Sequence, residues 1–169
     1  MDNLRFGILT ISDRSARGER LDSSGPELEE QVRSEGWVVA RSAIVPDDLL
    51  TIQNTLSGWA DSGEIDVILT TGGTGFSPRD VTPEATRAIL TREAPGLAEA
   101  MRSASLKLTP HGMLSRAVTG IRGQVLILNL PGSPKGAREN FAVVLPVLAH
   151  AVQLLRQDSE SEKGHSLNP

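Results

Sequence analysis

Four short apolar segments alternate with helix-type patterns along the chain, and this alternation restricts the possible folds more than any other feature. The apolar segments occupy residues 6–11, 37–45, 65–69 and 125–130, and the last of them reads VLILNL. Apolar runs of strand length, several of them rich in β-branched residues, predict strands that are buried on both faces. Such strands form parallel sheets whose crossover helices cover both faces. The sequence therefore predicts an α/β fold of three layers, α/β/α, with a mostly parallel central sheet.

The helices between these strands are predicted from their start signals. Pro26 suits the first turn of a helix, where its missing N–H is no loss. Asp47 or Asp48 can cap the next helix, but only one of the two can do so. Thr82 is expected to be an N-cap with Pro83 at the first helical position, which predicts a helix over residues 83–93.

The second half of the chain is less regular before the last strand. Residues 95–123 are expected to form a short helix followed by turns. The final helix carries an apolar stripe over residues 141–155, and Pro146 is expected to kink or divide it. We expect one catalytic domain over residues 1–156 and a flexible, polar tail over residues 157–169.

Composition excludes several classes of function. The chain has no cysteine, which excludes disulfides, thiolate metal ligands and cysteine nucleophiles. A net charge of −4 and an aromatic content of 3% argue against nucleic-acid binding. No apolar run approaches the ~20 residues of a membrane span, and the N-terminus lacks the pattern of a signal peptide. We therefore expect a cytoplasmic protein that binds neither membranes nor nucleic acid.

Polar loops follow each of the four predicted strands. They read SDR at residues 12–14, PDD at 46–48, TTGGTGFSPRD at 70–80 and PGSPKG at 131–136. In open parallel sheets, ligands bind beyond the carboxyl ends of the strands. If the sheet is parallel, all four loops lie along one edge, and this convergence indicates a site more strongly than any single loop does.

The third of these loops predicts a phosphate site. Gly72, Gly73 and Gly75 allow a tight turn and a close approach of the backbone to a ligand. Exposed backbone N–H groups and the start of the following helix favour an anion there. The loop matches neither the P-loop nor the dinucleotide-binding glycine pattern. A tight strand-to-helix turn that binds nothing is the structural alternative.

A carboxylate beside a phosphate site requires a compensating cation. Asp80 would repel a bound phosphate unless Mg²⁺ bridged the two, and Asp47 from the neighbouring loop could supply a second carboxylate. The alternatives are an N-cap for Asp47 and a helix-dipole contact for Asp80. Arg79, Arg116 and Lys135 are the basic candidates near these loops, and for Lys135 alone solvation at the surface is preferred.

Taken together, these motifs carry a family resemblance. The segment TTGGTGFSPRDVTPEAT, with PDD upstream and LSR, GIRG and LILNLPGSPK downstream, resembles the molybdopterin adenylyltransferase family, which includes the G domains of gephyrin and of the plant molybdenum-insertion protein. The resemblance covers residues 4–156 and implies a molybdopterin-binding-like fold that is usually a homotrimer. It also implies transfer of AMP from ATP to molybdopterin with Mg²⁺ and release of pyrophosphate. The product would then pass to a downstream molybdate-insertion protein.

The resemblance also assigns residues. The two essential aspartates of the family match Asp47 and Asp80, which are implied to be catalytic and to hold Mg²⁺ directly or through water. The glycine loop, Ser115, Asn129 and residues 12–13 match substrate-contact positions. With the basic candidates and the start of the last loop, the expected substrate-binding residues are Ser12, Asp13, Gly72, Gly73, Thr74, Gly75, Arg79, Ser115, Arg116, Asn129, Pro131, Gly132 and Lys135.

Two other functions are compatible with the same fold. A non-catalytic molybdopterin carrier would keep the pocket without turnover, and a trimeric scaffold would use the domain for assembly. A sister group of bacterial proteins shares GGTG and RDVTPEA. The segment SLKLTPHGMLSR, followed by GIRG, resembles the adenylyltransferase branch more closely.

Overall fold

A six-stranded sheet forms the centre of the described part of the chain, residues 3–156 of a computed structural model. The strands are β1 (Arg5–Ile11), β2 (Val38–Val45), β3 (Val67–Thr71), β4 (Arg92–Glu93), β5 (Thr119–Arg122) and β6 (Val125–Leu130). They lie in the order β2-β1-β3-β6-β5-β4. The first four strands of this order are parallel, and β5 is antiparallel to both of its neighbours. The mostly parallel sheet predicted from the sequence is confirmed.

Helices cover both faces of the sheet. They are α1 (Asp13–Ala16), α2 (Ser24–Ser34), α3 (Leu49–Ala60), α4 (Thr82–Ile89), α5 (Pro95–Leu108) and α6 (Pro134–Leu155), with a 3₁₀ helix over Pro110–Leu114. Residues of α2, α5 and α6 share one core with the sheet, and residues of α3 and α4 share the other. This arrangement is the predicted three-layer α/β/α fold.

The two cores follow from the alternation of side chains along each strand. In β1, Phe6 and Ile8 point to the core with α2 and α6, whereas Leu9 and Ile11 point to the core with α3. Every residue of β3 and β6 is buried. Burying a large aliphatic side chain stabilises the fold by roughly 1.5–3 kcal/mol, so these two central strands anchor the loops that follow them.

Strand β2 and helix α4 depart from the sequence predictions. The prediction of burial on both faces is wrong for β2, which lies at the edge of the sheet and buries only Val45. The predicted N-cap at Thr82 is also wrong, because Val81 is the N-cap and Thr82 is already helical. Helix α4 ends at Ile89, since the chain turns there into the short strand β4.

The irregular segment and the last helix are more ordered than predicted. Instead of a short helix and turns, the segment forms the 14-residue helix α5, the 3₁₀ helix and strand β5. Helix α6 is continuous over Pro134–Leu155, so of the two predicted effects Pro146 does not divide the helix, and the kink stays a prediction. Pro146 and Ala142, whose carbonyl loses its helical partner, are both exposed, and water can satisfy that carbonyl.

Within residues 3–156, no helix has the length and apolar character needed to cross a membrane. The predicted tail over residues 157–169 lies outside the described residues.

Candidate active site

The four polar loops meet at one edge of the sheet because β2, β1, β3 and β6 are parallel neighbours. Hydrogen bonds tie the loops to one another. The Ser12 N–H donates to the Val45 carbonyl at 2.9 Å, and the hydroxyl of Thr71 donates to the Pro131 carbonyl at 2.7 Å. The convergence expected from the sequence is therefore present, and the loops form one connected surface.

The first two glycines of the TTGGTG loop are required by the turn itself. Gly72 has a φ of 105°, and a Cβ on it would collide with the Ile11 carbonyl of β1. Gly73 has a φ of 65°, and a Cβ on it would collide with the Thr82 hydroxyl. That hydroxyl donates to the Gly72 carbonyl at 2.9 Å. The need for a tight strand-to-helix turn therefore explains these two glycines whether or not a ligand binds.

Two carboxylates flank the same loop. A Cβ on Gly73 would lie 3.1 Å from Oδ1 of Asp47, and a Cβ on Gly75 would lie 2.9 Å from Oδ2 of Asp80. Oδ2 of Asp80 also accepts a hydrogen bond from the Ser77 N–H at 3.0 Å. The bare backbone at residues 73–75 therefore lies against both aspartates that the sequence singled out.

Asp48, and not Asp47, caps helix α3. Oδ1 of Asp48 accepts hydrogen bonds from the Thr51 N–H at 2.8 Å and from the Thr51 hydroxyl at 2.6 Å. Asp47 instead pairs with Asp13: its Oδ2 accepts from the Asp13 N–H at 2.8 Å, and its own N–H donates to Asp13 Oδ1 at 3.0 Å. The N-cap alternative is thereby excluded for Asp47, whose carboxylate faces the glycine loop.

The charges around Asp47 are unbalanced. Burial raises the pKa of Asp47, the hydrogen bond from the Asp13 N–H opposes this, and the nearby charges of Asp13 and Asp80 raise it further. Asp13 differs, because Arg79 donates two hydrogen bonds to it at 2.9 Å and lowers its pKa. With Asp13 paired to Arg79, the site keeps an excess of negative charge at Asp47 and Asp80 that favours a bound cation.

The donor set at this edge is small. Among residues 3–156, no group of three or more His, Asp or Glu side chains has an arrangement suited to a metal ion. Mg²⁺ in phosphate-transfer sites is commonly held by one or two carboxylates together with substrate phosphate oxygens. Asp47 and Asp80 fit that mode of binding, in which the substrate completes the coordination.

The three basic candidates differ in how their donors are used. Arg79 is bonded to Asp13. The guanidinium of Arg116 contacts Glu84 and the carbonyls of Gly75 and Asp80. Lys135 is 79% exposed and lies 3.8 Å from a Glu139 oxygen on the next turn of α6. Lys135 is a solvated surface cation, as preferred for it from the sequence, and Arg79 is also exposed but is bonded to Asp13.

Asn129 is fully buried at the end of β6. Its amide nitrogen donates to the hydroxyls of Thr70 and Thr86 at 3.0 and 2.9 Å, and its oxygen accepts from the Val118 N–H at 3.2 Å. These bonds join β3, α4 and the segment that leads into β5. The structure gives Asn129 a structural role beneath the loops, and a direct contact with substrate stays a prediction.

Two cavities open beside the glycine loop. The larger, about 290 Å³, lies between this loop, the ends of α5 and α6, and the 3₁₀ helix; its walls include Thr74, Gly75, Ser115 and Pro131. The smaller, about 40 Å³, lies between the first and third loops and is lined by Ser12, Gly72, Gly132 and hydroxyl groups of residues 10–24. Seven of the predicted site residues line a cavity: Ser12, Gly72, Thr74, Gly75, Ser115, Pro131 and Gly132. The other predicted residues line neither of these two cavities: Asp13, Asp47, Gly73, Arg79, Asp80, Arg116, Asn129 and Lys135.

The sequence analysis missed the other residues that line these cavities. The larger cavity includes Leu108, His111 and Asn140, which lie on α5, the 3₁₀ helix and α6. Leu108 and His111 lie in the segment SLKLTPHGMLSR, which was quoted only for its resemblance to a family branch, and no motif marks Asn140. The smaller cavity includes Asp22, which accepts hydrogen bonds from the Thr10 hydroxyl at 2.7 Å and the Gly25 N–H at 3.1 Å. The turn sequence DSSGP before α2 was its only sequence signal.

Comparisons with known proteins agree on one family. The sequence model of a family described as a probable molybdopterin binding domain matches residues 7–150. The chain is 40% identical over 158 residues to a molybdopterin adenylyltransferase of Helicobacter pylori, covering 92% of this chain and 89% of that protein. It is 45% identical over 165 residues to gephyrin of Dictyostelium discoideum, but it spans only 23% of the length of that protein.

A solved structure with the same fold is described as the molybdopterin biosynthesis enzyme MoaB of Thermus thermophilus. It superposes on this chain with a TM-score of 0.86 and 53% sequence identity, covering 92% of this chain and 98% of that one.

Proposed function

The chain belongs to the family of probable molybdopterin binding domains, and we propose that it is a molybdopterin adenylyltransferase of molybdenum cofactor biosynthesis. In the proposed reaction, an oxygen of the molybdopterin phosphate attacks the α-phosphorus of ATP. The bond between that phosphorus and the oxygen of the leaving pyrophosphate breaks. The products are adenylyl-molybdopterin and pyrophosphate.

One observation carries the proposal: the glycine loop lies against two carboxylates and borders both cavities. The larger cavity has apolar walls at Leu108 and Leu114 beside polar groups, which suits a heterocyclic ring system. The smaller cavity is lined by hydroxyls, by Arg20 and by the carboxylate of Asp22. A phosphate that leaves either cavity along residues 72–75 meets Asp47 or Asp80.

The reaction requires positioning and charge neutralisation more than it requires a protein nucleophile. The N–H groups of the glycine loop and the start of α4 would orient phosphate oxygens. Asp47 and Asp80 would hold Mg²⁺, which when bound would neutralise the phosphate oxygens and the leaving pyrophosphate. Asp13 and Arg79 would keep Asp47 in place through the paired hydrogen bonds described above.

The proposal extends to the setting of the protein. By family resemblance we propose a cytoplasmic homotrimer with one catalytic domain over residues 1–156, whose product passes to a molybdate-insertion protein. The absence of cysteine is compatible with a reducing compartment.

An adenylation assay with purified protein, molybdopterin, ATP and Mg²⁺ tests the proposal. We expect the unmodified protein to release pyrophosphate, and we expect Asp80→Asn to lower kcat by about 100-fold or more while folding remains intact. Asp48→Asn is the matched control, because Asp48 lies in an adjacent loop, caps α3 and can be replaced by another good N-cap residue. It should retain activity.

The outcome separates the enzyme from the carrier. If the unmodified protein binds molybdopterin without turnover, and Asp80→Asn binds it equally well, the adenylyltransferase proposal is wrong and a carrier takes its place.

A further inference from the structure

Arg116 connects the two ends of the loop that carries Asp80. Its Nε donates to the Gly75 carbonyl at 2.7 Å, and its Nη2 donates to the Asp80 carbonyl at 2.6 Å. Its backbone N–H donates to the Thr74 carbonyl at 2.9 Å. One residue therefore holds both the glycine end and the aspartate end of residues 74–80, which have no regular secondary structure of their own.

Arg116 is itself held from two directions. Nη1 of Arg102, on α5, donates to the carbonyls of Ser115 and Ala117 at 3.3 and 3.1 Å, on either side of Arg116. Nη1 of Arg116 forms an ion pair with Glu84 in the first turn of α4, and this pairing lowers the pKa of Glu84. The guanidinium thus has a fixed place between α4 and the segment that enters β5.

The guanidinium of Arg116 is already paired with groups of the protein. All three guanidinium nitrogens have acceptors within the protein, and Glu84 neutralises the positive charge locally. A phosphate contact would require the loss of at least one of these bonds. A planar fork that reaches two carbonyls and a carboxylate is the geometry arginine supplies and lysine does not.

We propose that Arg116 is a positioning residue that holds loop 74–80 so that the Asp80 carboxylate faces the glycine backbone. This inference rests on the proposed function, and it differs from the expectation that Arg116 balances phosphate charge. Because Ser115 lines the larger cavity and Arg116 follows it directly, the same contact links the wall of that cavity to Asp80. The position of a ligand in the cavity is thereby fixed relative to the Asp80 carboxylate.

Steady-state kinetics of Arg116→Gln and Arg116→Lys test this role. We expect Arg116→Gln to lower kcat by about 10- to 100-fold, the effect of a small displacement of a reacting group, with KM for ATP changed less than about threefold. Arg116→Lys should not restore kcat, because one ammonium cannot replace the fork. If lysine restores activity, or if KM for ATP rises about tenfold at unchanged kcat, Arg116 contacts phosphate and the proposal is wrong.

Hydrogen exchange provides a readout that does not depend on catalysis. Amides in a peptide covering residues 74–80 should exchange faster in Arg116→Gln than in the unmodified protein. Arg122→Gln is the matched control, since Arg122 also bonds a carboxylate, Asp61, and a backbone carbonyl, that of Ile89, but at the opposite edge of the sheet. It should leave exchange at residues 74–80 unchanged.

The two proposals can fail separately. If the unmodified protein does not transfer AMP, the proposed function fails, but exchange at residues 74–80 still decides the role of Arg116. If exchange there is the same in Arg116→Gln as in the unmodified protein, Arg116 does not hold the loop.

Discussion

Asp47 and Asp48 are chemically identical neighbours with opposite roles. Asp48 is exposed, caps α3 and has a lowered pKa because the Thr51 hydroxyl and N–H both donate to it. Asp47 is half-buried, faces the glycine loop and has a raised pKa, chiefly because of burial. One residue stabilises the fold by its charge, whereas the other keeps a charge that folding disfavours, as is common for residues at functional sites.

Replacing each aspartate should therefore change stability in opposite directions. A raised folded pKa means that ionised Asp47 opposes folding, so Asp47→Asn should stabilise the protein by about 1 kcal/mol at pH 7. The gain should vanish as pH falls below the unfolded pKa of about 3.9, where Asp47 is protonated in both states. Asp48→Ala should instead destabilise the protein through the lost cap. Urea unfolding at both pH values measures these differences, and destabilisation by Asp47→Asn at pH 7 would contradict this account.

At the scale of the element, the connection from β3 to α4 is built from backbone contacts. Gly72 packs against the Ile11 carbonyl of β1, and a Cβ on Gly132 of the last loop would lie 3.2 Å from the Cα of Gly72. The Thr82 hydroxyl closes the turn by donating to the Gly72 carbonyl. The end of β1 and the loops that follow β3 and β6 therefore lie in close contact through two glycines, and the position of each depends on the others.

Substitution of Gly72 should disturb this assembly far more than the same change elsewhere. Gly72→Ala places a methyl group against the Ile11 carbonyl at a positive φ, and both effects destabilise the fold. Gly123→Ala is the control, because its φ is 58° and its Cβ would meet open space, so it should cost only the backbone strain of about 1–2 kcal/mol. We expect Gly72→Ala to cost at least about 2 kcal/mol more in chemical unfolding. Equal losses of stability in Gly72→Ala and Gly123→Ala would show that the structure relaxes at the contact with β1 without further cost.

At the scale of the whole molecule, the two edges of the sheet have different functions. The carboxyl edge carries the loops, the carboxylates and the two cavities. The opposite edge carries Asp66, whose side chain is 6% exposed. Asp66 accepts hydrogen bonds from Arg5 at the start of β1, and it forms an ion pair with Arg156 at the end of α6. Burial alone would raise the pKa of Asp66, but these two arginines outweigh it and lower that pKa. This cluster joins the beginning and the end of the described chain.

Asp66→Asn should destabilise the protein by about 2 kcal/mol at pH 7, because it weakens charged hydrogen bonds while the arginines keep access to water. Since the folded pKa is lowered, the stabilisation is present above the unfolded value of about 3.9 and is lost as pH falls through the folded pKa. The difference in free energy of unfolding between Asp66→Asn and the unmodified protein, measured with urea, should therefore become smaller toward about pH 2. Asp61→Asn, which removes an ion pair whose Asp61 side chain is 59% exposed, should change the free energy of unfolding less than Asp66→Asn does. If the change in free energy of unfolding caused by Asp66→Asn did not depend on pH, ionised Asp66 would not be the source of this stabilisation.

Patterns in the sequence predicted the four parallel strands, most of the helices between them, the loops at one sheet edge and the candidate pair Asp47 and Asp80, whereas α1, β4 and β5 were not predicted. The predicted features depend on local patterns: apolar runs, breaks at proline and glycine, and the rule that places ligands at the carboxyl ends of parallel strands. The sequence could not determine the edge position of β2 or the regular structure of residues 95–123, because strand order and helix packing depend on contacts between distant segments.

The hydrogen-bond partner of each polar group follows from the folded structure and not from the local sequence. The folded structure assigned the cap to Asp48 and left Asp47 for the site, buried Asn129 beneath the loops, and directed Arg116 to two carbonyls instead of to solvent. A hydrogen bond forms only within about 3 Å, so its partner is set by the packing of segments that lie tens of residues apart. Sequence patterns identify the residues capable of the chemistry, and long-range packing selects the ones that are placed to perform it.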